Sequence, residues 1–211
     1  MWNVFSPDSE LGALLGKVFN LLVLNLLTVL CCIPIVTIGA ALTASMSTCF
    51  QMQEGSVAVT KTFFKEFRAN FKKPTIIWIV LFLILQLIIV NYGVLLKMQP
   101  EWIGVAEIAL IMMAVITVMS TKWAYGLQAY FTNGVWQTVK NSVLLSLGYL
   151  HYSIAMLLVD CIPVVLFLLV DSNVAFFAAV LYGVAAPGYV GSLLMKKVFL
   201  KLQEQETQKE E

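Results

Sequence analysis

The chain has 211 residues, of which 60% are hydrophobic and 12% charged, with a net charge of +1. Soluble domains carry roughly 45–50% apolar and 25% charged residues, so neither one soluble domain nor two small ones fits this composition, and so balanced a charge gives no footing for nucleic acid binding. What remains is an all-α integral membrane protein, in which the placement of the few charges carries most of the information.

Residues 1–15 are mildly amphipathic, with Trp2, Phe5, Leu11, Leu14 and Leu15 able to lie at the headgroup level. Residues 1–10 have neither the basic start nor the cleavage region of a signal peptide, so the first span is expected to direct insertion itself. Residues 18–53 then form a run of 36 without a charged side chain. As one helix rising 1.5 Å per residue it would reach about 54 Å, far beyond a hydrocarbon core of roughly 30 Å. The pattern predicts one crossing over 16–36, a kink where Pro34 removes a backbone donor and Gly39 loosens the chain, and a helical extension to residue 50. Two readings of Pro34, Thr37 and Gly39 stand: small residues that let helix backbones pack closely, or a broken helix whose freed carbonyls face a cavity.

Past Glu54 the character changes. Phe63, Phe67 and Phe71 recur every four residues, and Lys61, Lys65, Arg68 and Lys72 interleave with them. That spacing predicts an amphipathic helix over 57–73, lying on an anionic leaflet as a topology anchor or offering a docking surface to a cytoplasmic partner. Residues 74–96 are the second span and 102–121 the third, joined by a link too short for a domain; Glu107 is the one charge inside the third. Aromatic residues crowd the next stretch, Asn133-Gly134 marks a turn, and a second interfacial helix is expected over 130–147. The fourth span, 148–170, contains Asp160. The fifth, 174–195, is kinked by Pro187-Gly188, and a mixed-charge tail over 203–211 is expected to be disordered.

Five spans with two cytoplasmic interfacial helices put the termini on opposite sides. Of the 13 basic residues only Lys17 and Lys97 fall on one side, Lys122 being counted with the other group at the interface. The positive-inside rule then places the N-terminus outside and the C-terminus in the cytoplasm of a plasma membrane.

An intramembrane carboxylate costs about 2.5–3.5 kcal/mol at a helix centre on insertion scales, so Asp160 and Glu107 are the candidate functional acids. Glu107 is close enough to its span's end to reach the outer interface. Asp160 is central, and no second buried charge stands out as its partner, so a protonated or hydrogen-bonded structural acid competes with a functional one. His151, in Tyr149-Leu150-His151-Tyr152, reads first as part of an aromatic belt. The four cysteines lie in apolar runs without paired spacing, which implies no metal site and no cofactor. No nucleophile, Walker or metalloprotease motif occurs, so the chain is expected not to be an enzyme. Met46-Ser47-Thr48-Cys49-Phe50 and Met119-Ser120-Thr121-Lys122-Trp123 echo each other, as do Cys32-Ile33-Pro34-Ile35-Val36 and Cys161-Ile162-Pro163-Val164-Val165. Chance in an apolar sequence and a true internal repeat, which would favour transporter-like construction, both remain open.

Phe19-Asn20, Asn25, the run Pro34-Ile35-Val36-Thr37-Ile38-Gly39-Ala40-Ala41 with Thr43-Ala44, and then Phe63, Phe67 and Asn70-Phe71-Lys72 together resemble the YesL-like family, bacterial proteins with domain of unknown function 624. The resemblance covers about the first 80 residues. It implies a multi-pass membrane protein of a Gram-positive bacterium, in a genetic setting of carbohydrate uptake and polysaccharide degradation, and it brings no catalytic residues. Asn133-Gly134-Val135-Trp136-Gln137-Thr138 also resembles the cytoplasmic loop by which sugar permeases touch their ATPase, without the Glu-Ala-Ala that begins that motif. Two functions are therefore carried forward. One is a non-catalytic accessory to carbohydrate uptake or the cell envelope, with the lipid bilayer and ABC-type transporter components or other membrane proteins as partners. The other is a small solute transporter or channel acting as a homo-oligomer.

Overall fold

The structure is a computed structural model that describes residues 10–55, 57–98, 103–169 and 182–210. Among these, every regular element is helical: α1 Glu10–Cys32, a 3-10 turn Ile35–Thr37, α2 Ile38–Met52, α3 Val59–Ala69, α4 Lys72–Met98, α5 Ile103–Tyr130, α6 Val135–Gly148, α7 Leu150–Leu169 and α8 Ala185–Glu210. Among the described residues, four helical segments are long and apolar enough to cross a membrane, or five if the bent α6–α7 pair counts as one span. The chain is a membrane-spanning all-α protein.

The uncharged run does not continue as a kinked helix to residue 50; it folds back. Asn25 Oδ1 on α1 accepts the backbone N–H groups of Val184 and Ala185 at 2.8 and 2.7 Å, and Gln53 Nε2 beyond α2 donates to Ser192 Oγ at 2.6 Å. Ala185 and Ser192 are about 10 Å apart on one helix, whereas Asn25 and Gln53 on a continuous helix would be about 42 Å apart. Pro34 makes the reversal possible, having no N–H to give to the helix before it and disfavouring helical backbone at Ile33. α2 is then central: 67% of its apolar window is buried inside the protein, against 17% for α1, 17% for α4 and 11% for α5. Those three turn Leu14, Leu30, Leu83, Leu87, Val105 and Ile108 outward, which in a bilayer is a lipid face.

α4 and α5 form an antiparallel hairpin, with Tyr92 against Glu107 towards one end and Ile77 and Leu81 clustered with Ala124 towards the other. α2 lies across that second end. Gly39 sits against Pro74 and Trp78 near the start of α4, and the Phe50 ring meets Tyr130 at the end of α5 with centroids 5.2 Å apart. Phe50, Met46, Trp123, Leu127, Met156 and Phe199 make the main core, drawn from α2, α5, α7 and α8.

Both expected interfacial helices are docked on protein. α3 ends at Ala69, and Lys72 and Lys73 already belong to α4. Phe63 is fully buried in a cluster with Leu24, Cys49 and Met52, so the phenylalanine face meets α1 and α2 instead of lipid. α6 runs antiparallel along α5: Thr138 donates to Gln128 at 3.1 Å and Ser146 pairs with Ser120 at 3.0 Å, partner numbers falling as α6 rises. Its buried Thr138, Ser142 and Ser146 let the backbones approach. α7 leaves α6 at an angle of 96°. Residues 174–181 of the expected fifth span lie outside the described residues. Downstream, the expected disordered tail is helix to Glu210, because Gln, Glu and Lys prolong a helix that packed residues up to Leu202 have already nucleated.

Candidate intramembrane site

Of the five residues singled out inside the membrane, Asp160 lines a cavity bordered by described residues. Pro34, Thr37 and Gly39 form a closed packing device. Thr37 Oγ1 donates to the carbonyls of Cys31 and Pro34 at 2.6 and 2.7 Å, and Trp78 Nε1 donates to the Ile35 carbonyl at 2.9 Å. The Cys31, Pro34 and Ile35 carbonyls at the break are thus met within the protein, Pro34 and Ile35 also accepting the backbone N–H groups of Thr37 and Ile38. A Cβ at Gly39 would collide with the Pro74 carbonyl and lie 2.6 Å from Trp78 Cβ, so glycine is what allows α2 and α4 to touch there. Glu107 is also accounted for locally, accepting the Tyr92 hydroxyl at 2.7 Å across the α4–α5 hairpin.

Asp160 faces a different neighbourhood. Its Oδ1 accepts a hydrogen bond from Lys122 Nζ at 2.5 Å, the two side chains being 23% (Lys122) and 30% (Asp160) exposed. The expectation of an acid without a charged partner is corrected by this pair, and Lys122, expected at the interface, is packed within the helix bundle. α5 runs on to Tyr130, and the stretch from Met119 to Gln128 is largely buried, which takes Lys122 inside. The signal was present in the chain: an intramembrane acid calls for a partner, and Lys122 stands one residue past the drawn end of its span.

The pair borders a half-open cavity of about 390 Å³ between α2, α4, α5 and α7, lined also by the chain at Pro187-Gly188. Leu42, Leu81, Phe82 and Leu85 give it apolar walls. Ser45, Tyr125 and the ion pair supply the polar groups, and Trp78 links it to the break at Ile35. Sequence reasoning passed over Ser45 and Tyr125. The Tyr125 hydroxyl is buried without a partner among the described residues. Among the described residues no group of three His, Cys, Asp or Glu side chains is placed to hold a metal.

On the surface, Lys61, Lys65 and Arg68 are exposed and line a shallow cleft with Phe64. Lys72 is exposed at the start of α4, Phe67 is half-buried, and Phe71 is partly exposed. The basic face expected from the sequence thus exists, but the phenylalanine interleaved with its cations is Phe64, while Phe63 and Phe67 anchor the helix.

An apolar helical bundle with its polar groups gathered inward defines a multi-pass membrane protein. Residues 21–92 match the family model described as "Protein of unknown function, DUF624", in agreement with the resemblance carried by the Pro34–Ala41 run. That match takes in the break, α2, α3 and most of α4, and leaves Lys122 and Asp160 outside it. No curated protein and no solved structure matches the chain.

Proposed function

We propose that the protein is a non-catalytic component of the plasma membrane of a Gram-positive bacterium, an accessory to carbohydrate uptake or envelope function that docks through the basic face of α3. The observation that carries this reading is how α3 is held. With Phe63 buried against α1 and α2, Lys61, Lys65 and Arg68 stand in a fixed array around exposed Phe64. With the helix itself held before contact, binding orders only the cationic side chains, and the basic face favours an acidic protein partner. The positive-inside rule turns this face to the cytoplasm, and the C-terminus with it; the N-terminus expected outside rested on a single crossing ahead of α3, which the fold-back at Pro34 replaces with two antiparallel helices. Trp136, 78% exposed at the start of α6, offers a second contact in the permease-like stretch. The carbohydrate setting rests on the family resemblance and on that stretch.

Affinity purification of the tagged full chain from native membranes tests the reading. ABC-type permease or ATPase components should co-purify with the wild type and fall at least tenfold with the Lys61→Gln, Lys65→Gln, Arg68→Gln variant. Equal recovery by both proteins would remove α3 as the docking surface, and recovery of no membrane partner would remove the accessory role. A second reading, passage of a small solute through an oligomer of this chain, draws on the cavity at Lys122 and Asp160. Solute flux into liposomes holding this protein alone would support it.

A further inference from the structure

We propose that the cavity between α2, α4, α5 and α7 is a binding site for one uncharged amphiphilic small molecule, an apolar body carrying a hydroxyl or amide group. The cavity is the one used by the solute-passage reading, but the proposal asks only for binding, so it can hold where flux fails. The volume of about 390 Å³ is well above the roughly 150 Å³ cavity known to take up benzene in another protein, so a two-ring body fits. Leucine and phenylalanine walls suit such a body.

The polar groups choose its head. Lys122 Nζ spends one of its three N–H groups on Asp160 Oδ1, which leaves two donors, and Asp160 Oδ2 accepts nothing among the described residues. Ser45 is 3% exposed, lines the cavity, and makes no hydrogen bond among the described residues. Several helical hydroxyls of this chain return to a carbonyl three or four residues back, as Thr48 does to Ala44 and Ser142 to Val139, whereas buried Thr43 on α2 has no partner among the described residues. Ser45 makes no such bond where it borders the cavity, and the Tyr125 hydroxyl on the same cavity is buried without a partner among the described residues, which is costly unless something meets it. The site's net charge is zero. An anion that took Lys122 would strand Asp160, and a cation that took Asp160 would strand Lys122. A neutral group with a donor and an acceptor adds bonds and leaves the pair intact.

The test is equilibrium dialysis of 1-naphthol, naphthalene and 1-naphthalenesulfonate against the full chain in lipid nanodiscs, with empty nanodiscs subtracted. Saturable one-site binding of 1-naphthol is expected, about tenfold weaker for naphthalene through the lost hydrogen bond, and absent for the sulfonate. Ser45→Ala should weaken 1-naphthol several-fold and leave naphthalene unchanged. Ser45→Phe, which fills the cavity, should abolish both. Equal affinity for 1-naphthol and naphthalene, binding of the sulfonate as tightly as 1-naphthol, binding unaffected by Ser45→Phe, or no binding above empty nanodiscs would each overturn the proposal.

Discussion

The Lys122–Asp160 pair can be weighed by a double-mutant cycle. Removing one member of a buried pair costs about 3–5 kcal/mol, because the other charge is left without a partner in low dielectric. Side-chain exposures of 23% and 30% put Asp160→Leu and Lys122→Met near the lower end, about 3 kcal/mol each. Replacing both members by apolar residues of similar size is close to neutral in buried pairs, so the double variant should lie within about 1 kcal/mol of wild type. The coupling would then be about 5 kcal/mol or more, above the roughly 0.5–3 kcal/mol usual for contacting pairs. Reversible unfolding in mixed micelles of rising dodecyl sulfate content reads all four proteins. A double variant as unstable as the sum of the two singles would show that the two charges do not support each other, and the argument for a closed, neutral pair would fail. Asp160→Asn adds a distinction: it keeps an oxygen acceptor but removes the charge, so it should be less stable than wild type and more stable than Asp160→Leu.

Gly39→Ala should destabilise by about 1–3 kcal/mol, because the new methyl meets the Pro74 carbonyl and Trp78 Cβ; Gly126→Ala meets the flexible Met195 side chain and should cost less in the same micellar unfolding assay. Thr37→Val removes the donor to the Cys31 and Pro34 carbonyls and should cost about 1–3 kcal/mol, and wild-type stability in the Thr37→Val variant would mean the break holds without that hydroxyl. Single cysteines at Lys97 and Lys61, placed in a cysteine-free background, test orientation. The first should react with an impermeant thiol reagent in intact cells and the second only after lysis, and the opposite pattern would invert the topology.

Hydrophobicity is visible in a sequence, and so the helices and the lipid-facing spans were legible. Pairing is not. The length of 18–53 excluded one plain span, but whether Pro34 kinks or reverses the chain depends on Trp78 and α8, which are remote in sequence. The small residues of α2, Ala40, Ala41, Ala44, Ser45 and Ser47, all buried, were the available sign of a helix enclosed by other helices. α6 carried a similar sign in Thr138, Ser142 and Ser146, a stripe at four-residue spacing that suits an upright helix contact better than a flat one on lipid. The aromatic crowding around it drew attention to the interface instead. For α3, periodicity gave the amphipathic character but could not say whether protein or lipid covers the phenylalanine face.

The two proline echoes show why a local match is weak ground for a repeat. Pro34 ends a helix, whereas Pro163 sits inside α7. Both prolines lack the donor that their helix needs, and their neighbours are similarly exposed, Ile33 and Ile35 at 73% and 65%, Ile162 and Val164 at 54% and 58%. The difference is in what can satisfy the freed carbonyls. After Pro34 comes Thr37, whose hydroxyl lies within hydrogen-bond reach of the Cys31 and Pro34 carbonyls, and Trp78 donates to the Ile35 carbonyl from α4. Three residues after Pro163 the chain has Leu166, with no hydroxyl to offer. A break facing lipid without donors would leave carbonyls unsatisfied, so α7 stays helical and tolerates one missing bond. The Met-Ser-Thr echo holds better under the same scrutiny. Its first copy lies on α2, against which α3 packs, and its second on α5, against which α6 packs, and Met46, Phe50 and Trp123 from the two copies share one core. The Met-Ser-Thr stretches are thus alike in their surroundings, each on a helix that a shorter helix packs against, whereas the two prolines are not.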